Sequence, residues 1–232
     1  MGVIKKPSWR QIAISDIHGC LKTFEALLDK VAFTQSDQLF LLGDFVDRGP
    51  DTKGVIDLVW KMQKEGYDVH CLRGNHEQMI LDNLEAGVMS KYYCDQALLK
   101  SFDADDLTQI PAKYLKWMDE LPYYLETEGC FLVHAGIDFT IDNPLDNTYD
   151  MMWLRYWYEY LDREWLGNRV IVHGHTPLGT ESIEKRLKGL AAFPIMNVDN
   201  GCVFTSRDLG QLCAFDMTNR ELFFQGNMDR AD

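Results

Sequence analysis

"LFLLGDFVDRG", residues 39 to 49, is an apolar run that ends abruptly and delivers two carboxylates, Asp44 and Asp47, and a guanidinium, Arg48, between Gly43 and Gly49. A run of Leu and Phe closed by Gly is how a strand buried on both faces reads as it enters a tight loop. Charge placed at that point is costly unless it is paired or binds something. Four more stretches repeat the form: "QIAIS" (11 to 15), "YDVHCLRG" (67 to 74), "CFLVHAG" (130 to 136) and "RVIVHGHT" (169 to 176). With "QLFLLG" (38 to 43) they make five predicted strands.

Helical spacing fills the gaps. "LKTFEALLDKVAF" (21 to 33) sets Leu21, Phe24, Leu27, Leu28 and Val31 on one face, and "TKGVIDLVWKMQKEG" (52 to 66) behaves similarly before stopping at Gly66. Strand and helix therefore alternate, which defines an α/β class. The stretch 78 to 128 has a mainly helical pattern broken near Pro111 and Pro122, and is expected to form an insertion beside the site within a single domain spanning 1 to 232. From about 195 to 225, apolar and polar residues alternate between Gly and Asn turns, which predicts an antiparallel meander.

Open α/β sheets bind ligands beyond the carboxyl ends of their strands. All five predicted strands supply a candidate there: Asp16 and His18, then Asp44, Asn75 and His76, His134, and finally His173 and His175. Simple alternation predicts that His173 and His175 share a face. Carboxylate, imidazole and amide donors without thiolate suit a hard or borderline divalent ion, which points to Mn, Fe, Zn or Co. The set exceeds what one tetrahedral ion needs, so two ions bridged by Asp44 are expected. "RGNHE" is not a zincin motif, because Ile80 stands where the second His would fall, and Glu77 reads as a cap on the helix that follows.

The chain has 232 residues, a formal net charge of -13 and no Lys- or Arg-rich run, a balance that disfavours nucleic acid and anionic membranes. A positive metal centre would supply the local potential that draws in a phosphate. The six cysteines are widely spaced and no apolar stretch approaches membrane-spanning length, so the expectation is a soluble cytoplasmic protein with reduced thiols.

In order, "DIHG", "GDFVDRG", "GNHE", "HAG" and "HGHT" resemble the phosphoprotein phosphatase branch of the calcineurin-like metallophosphoesterases, and the resemblance extends through "MMWLR" (151 to 155) and "NVDNGCVF" (197 to 204). It implies a central β-sandwich of mixed sheets flanked by helices. Asp16, His18 and Asp44 would hold one metal, and Asp44, Asn75, His134 and His175 the other. His76 would be the general acid, Asp47 its orienting partner, and Arg48 and Arg155 the clamp on the phosphoryl oxygens, with Arg73 a support. The implied reaction is direct attack by a metal-bridged hydroxide on a phosphate monoester. Protein serine/threonine phosphatase is the leading expectation, with a phosphoprotein or small phosphoester as substrate. The alternative is a diadenosine tetraphosphate hydrolase-like nucleotidase, and an inactive metal-binding scaffold is a third reading. Pro177 after "HGHT" agrees with this branch, whereas the segment "SKYYCDQALLKSFD" (90 to 103) departs from bacterial relatives.

Overall fold

The computed structural model describes residues 3–4, 9–87 and 95–230. The chain begins with β1 (Gln11–Ile14), α1 (Leu21–Lys30), β2 (Gln38–Leu41), α2 (Thr52–Lys64), β3 (Asp68–Cys71) and α3 (Asn75–Glu85). After these come α4 (Gln96–Ser101), α5 (Ala112–Glu120), β4 (Tyr124–Glu126), β5 (Cys130–Val133), α6 (Thr148–Trp153) and α7 (Arg163–Leu166). The remainder is β6 (Val170–His173), α8 (Thr180–Gly189), β7 (Ile195–Asn197), β8 (Gln211–Asp216) and β9 (Glu221–Gly226).

Two mixed sheets result, in the orders β3-β2-β1-β8-β9 and β4-β5-β6-β7. In the first, β1, β2 and β3 are parallel and β8 runs against β1; in the second, β5, β6 and β7 are parallel and β4 runs against β5. The pleat sorts their side chains between layers. Ile12, Ile14, Leu39 and Leu41 face the helices, while Ala13, Phe40 and Leu42 face Leu132, Val172 and Met196 of the other sheet. On the far face of that sheet, Phe131, Val133, Ile171 and Ile195 pack with Trp157 and Leu166. Both faces of each sheet are covered, so their strands read as continuous apolar runs. Truncating the fully buried Phe40 to Ala would cost about 3–5 kcal/mol.

Two expectations change. Residues 195 to 225 are not one meander: β7 pairs parallel with β6 in the second sheet, and only β8 and β9 form an antiparallel hairpin in the first. Period-two alternation sets which face a residue occupies, but it carries no information about the strand's neighbour. The stretch 78 to 128 also ends in a strand, β4, beyond its helices, and its residues 88–94 lie outside the described ones. Among the described residues no helix is long and apolar enough to cross a membrane.

The start of β2 is fixed by a buried ion pair. Asp37 accepts from Arg10 Nη2 at 2.9 Å and Nε at 3.1 Å, and from the Thr34 backbone N–H at 2.9 Å. Burial alone would raise the Asp37 pKa, but Arg10 and the Thr34 N–H outweigh it and hold the carboxyl below its ordinary value. Its stabilising contribution is therefore complete above the unfolded-state pKa and is lost as pH falls through the lower folded-state value. Asp37→Asn should lower unfolding free energy at pH 7 by about 2 kcal/mol and flatten the loss of stability below about pH 4, as read by denaturant titration across pH.

Candidate metal centre

Residues from the carboxyl ends of the parallel strands of both sheets meet in one cleft of about 280 Å³. Asp16, His18, Asp44, Asn75, His76 and His175 all line it, together with Arg48 and Arg155. Two ties close the sheets over it. His134 Nδ1 donates to Leu42 O at 2.7 Å, and the His175 backbone N–H donates to Asp16 Oδ2 at 3.0 Å. Ser15 Oγ also donates to Asp16 Oδ2, and a Cβ at Gly174 would collide with both of these groups, so glycine is required at that crossing.

The backbone is unusual here. Asp16, His18, Asp44, Asp47, Arg48 and His175 all have φ between 49° and 69°, a region that non-glycine residues rarely occupy. Each such residue costs on the order of 1 kcal/mol or more, which the surrounding hydrogen bonds must offset. Much of that support comes from Glu77, which is fully buried. Its Oε2 accepts from the N–H groups of Asp44 (2.9 Å) and Gly74 (2.8 Å), and its Oε1 from Phe45 (2.8 Å) and Val46 (3.3 Å). Glu77 thus caps α3, as its position suggests, and also clamps the loop that presents Asp44.

The donor atoms form two clusters that share Asp44: His18, Asp44 and His76, and Asp44, His134 and His175, with ligand atoms in each within 4.8 Å of one another. Asn75 Oδ1 adds to the second, at 3.0 Å from His134 Nε2 and 2.9 Å from His175 Nδ1. His18 and His134 each place Nδ1 to donate to a backbone carbonyl, Val46 O and Leu42 O, an arrangement that turns Nε2 inward. Those Nε2 atoms meet Asp44 Oδ2 at 3.6 Å and Asp44 Oδ1 at 3.5 Å. Facing electron pairs without a proton between them are repulsive, and a cation makes them attractive.

The electrostatics agree with that fit. Burial, with Asp16 and Glu77 nearby, pushes the Asp44 carboxyl well above the ordinary range. Asp199, buried and close to Asp16, is displaced in the same direction. Burial pushes His18 well below the ordinary imidazole value, and takes His175 down to about 3 with His134 as the next contributor. Carboxylates that resist charging and imidazoles that resist protonation suit a bound dication.

His76 has a different environment. Its Nδ1 donates to Asp47 Oδ2 at 2.7 Å, and Arg48 Nη2 donates to its Nε2 at 3.1 Å. Burial lowers its pKa, but Asp44 and Asp47 outweigh burial and raise it above the ordinary value. Arg155 reaches Thr176 Oγ1 at 3.4 Å. Arg73 lies outside this cleft lining, bonded to Gln78 Oε1 at 2.8 Å and to the Asp119 carbonyl.

His173 corrects the shared-face expectation. Strand β6 ends at His173, Gly174 follows, and His175 has φ 67°, so the alternation is broken between them. His173 Nε2 meets Tyr158 Oη at 2.9 Å instead of the metal donors. In the segment 151 to 165, α6 stops at Trp153 and α7 begins only at Arg163. Sequence reasoning left Asp199 and Phe204 without roles, although both line the cleft. They reach it because β7 runs parallel to β6 and its carboxyl end, Asn197, opens onto the same edge, a pairing that alternation in the sequence does not encode.

A strained, carboxylate- and imidazole-lined cleft at the shared edge of two sheets defines a metal-dependent hydrolase. The chain belongs to the calcineurin-like phosphoesterase family, whose profile matches residues 10–203. It is 27% identical over 225 residues to the asymmetrical bis(5′-nucleosyl)-tetraphosphatase PrpE of Oceanobacillus iheyensis, covering 84% of each chain. In fold it is similar to the crystal structure of a candidate diadenosine tetraphosphatase, with TM-score 0.67, 22% identity and 97% of each chain covered. It is also similar to a protein serine/threonine phosphatase from Saccharomyces cerevisiae, with TM-score 0.66, 15% identity, and 99% of this chain and 85% of that one covered.

Because Glu77 accepts four backbone N–H groups, Glu77→Gln would turn an amide NH₂ toward donors. The variant should lose about 2 kcal/mol of stability and bind less metal per chain, as measured by denaturant titration and by elemental analysis after Mn reconstitution.

Proposed function

We propose that this chain is a two-metal hydrolase of dinucleoside polyphosphates of the bis(5′-nucleosyl)-tetraphosphate type. The observation that carries this reading is the similarity to a bacterial tetraphosphatase over 84% of each chain. It reverses the order of the sequence expectations. The protein serine/threonine phosphatase reading came from motifs that both readings share, and the comparison on its side is a likeness at 15% identity, which speaks to fold alone. An inactive scaffold would have no need for a His76–Asp47 pair and two arginines lining the same cleft.

In this reading Asp16, His18 and Asp44 hold one divalent ion, and Asp44, Asn75, His134 and His175 hold the second, with Mn preferred over Fe, Zn, Co or Ni. When bound, the pair supplies a water of lowered pKa and neutralises charge on the phosphoryl oxygens. The protein's own groups do the rest. Arg48 and Arg155 bind the phosphoryl oxygens through forked N–H donors. Asp47 holds the His76 ring through Nδ1 and stabilises its protonated form. Arg48 donates to His76 Nε2 in the structure, and a phosphoryl oxygen is the stronger acceptor. Substrate therefore draws Arg48 away and frees Nε2 to carry the proton that passes to the leaving oxygen. We assign the protein to the cytoplasm, since the five described cysteines are free and buried, as suits a reducing compartment.

Turnover of diadenosine tetraphosphate and of a phosphoserine peptide, measured at one Mn concentration, tests the substrate class. Selective cleavage of the dinucleotide is expected, and preference for the peptide would overturn the reading. His76→Asn should retain metal but lose about 100- to 10,000-fold in turnover, least with good leaving groups. Asp44→Asn should instead lose metal, as read by elemental analysis.

A further inference from the structure

Phe204 is 40% exposed, and it is the only Phe, Tyr or Trp among the described residues that line the metal cleft. Arg48 Cζ lies 5.7 Å from its ring centroid, so a phosphoryl group held by Arg48 leaves the next atoms of the substrate beside this ring. Apart from Pro177 and Gly201, every other residue lining the cleft is polar or charged, so Phe204 offers the aromatic surface for the remainder of the substrate.

The ring is held in place before anything binds. The Phe204 N–H donates to Gly201 O at 2.9 Å, and the Gly210 N–H returns to Gly201 O at 3.0 Å, closing the loop on itself. Gly201 has φ +62°, and a Cβ there would sit 2.9 Å from Phe204 Cδ2, so glycine makes room for the ring. The C-terminal segment then fastens the loop from behind. Arg230 Nη2 donates to Phe204 O, and Asn227 Nδ2 donates to Cys202 O at 2.9 Å. Asp229 anchors that segment by accepting the Lys22 and Thr23 N–H groups of α1 at 3.0 and 2.9 Å.

We propose that Phe204 is the stacking platform for the nucleobase next to the phosphate being cleaved, and that Arg230 is a positioning residue that fixes its backbone. A partly exposed aromatic ring beside a guanidinium accepts any base, because recognition comes from stacking and needs no hydrogen-bond pattern. Rigid anchoring removes the cost of ordering the ring on binding. The proposal rests on the nucleotide reading above, and its test is separable from it.

The test is competitive inhibition of p-nitrophenyl phosphate hydrolysis by AMP and by ribose 5-phosphate, which share a phosphate and differ by the base. In the Mn-loaded wild-type protein AMP should inhibit about tenfold more tightly than ribose 5-phosphate. Phe204→Ala should bring the ratio of the two inhibition constants close to one, and Phe204→Trp should preserve it. Because each variant is judged by a ratio, a change in its basal turnover cancels. Arg230→Ala should lower the ratio partially, and Arg230→Lys should restore part of it. Equal inhibition by the two compounds in the wild type, or a ratio that survives Phe204→Ala, would overturn the platform whatever happens with diadenosine tetraphosphate. Failure to cleave the dinucleotide with the ratio intact would count against the tetraphosphatase reading and leave the platform supported.

Discussion

The structure depends on the carboxyl ends of two separate sheets being locked to one another. The His134 ring reaches from the end of β5 to Leu42 O at the end of β2, and the His175 N–H reaches from the end of β6 to the Asp16 carboxylate at the end of β1. These short polar ties are possible because a fully buried layer, including Ala13, Phe40, Leu132 and Val172, sets the spacing between the sheets. The apolar interior thus determines the geometry of a polar site at its edge.

The site is unfavourable in isolation. Six of its residues occupy left-handed backbone conformations, its carboxylates are buried near one another, and burial disfavours the protonated forms of His18 and His175. The fold supports these features with fixed dipoles and hydrogen bonds, above all the four N–H groups gathered by Glu77. A cation relieves the remaining electrostatic conflict, so the folded protein is preorganised for metal before metal arrives. His76 is built differently within the same cleft: Asp47 fixes one ring nitrogen and, with Asp44, favours the protonated ring, while Arg48 on the other nitrogen opposes it.

The same preorganisation extends outward to the rim. A loop after β7 presents Phe204, and the chain's last described residues return to fasten it while capping α1. Helix α1 has no capping side chain at Cys20, so Asp229 performs locally needed chemistry from 207 positions away in the sequence. Substrate preference in a shared fold is decided by such rim groups, because the metal donors serve every phosphoester alike.

The sequence alone determined the α/β class, five strands and the polar groups at their ends, because a buried strand must be apolar and its exit must be a turn. It also marked Asp16, His18, Asp44, Asn75, His134 and His175 as candidate donors, since their residue types and order suit coordination chemistry and carry a family resemblance. It misled at His173 and at 195 to 225, where a glycine followed by one left-handed residue redirects a side chain and where strand pairing is invisible to period-two patterning. Only the tertiary structure decided that Asp199 and Phe204 belong to the cleft, that Glu77 clamps the Asp44 loop, and that the C-terminal segment secures the rim. Such relations join residues far apart in the chain, and the distances between them are set by the packing of two sheets, which no local pattern encodes.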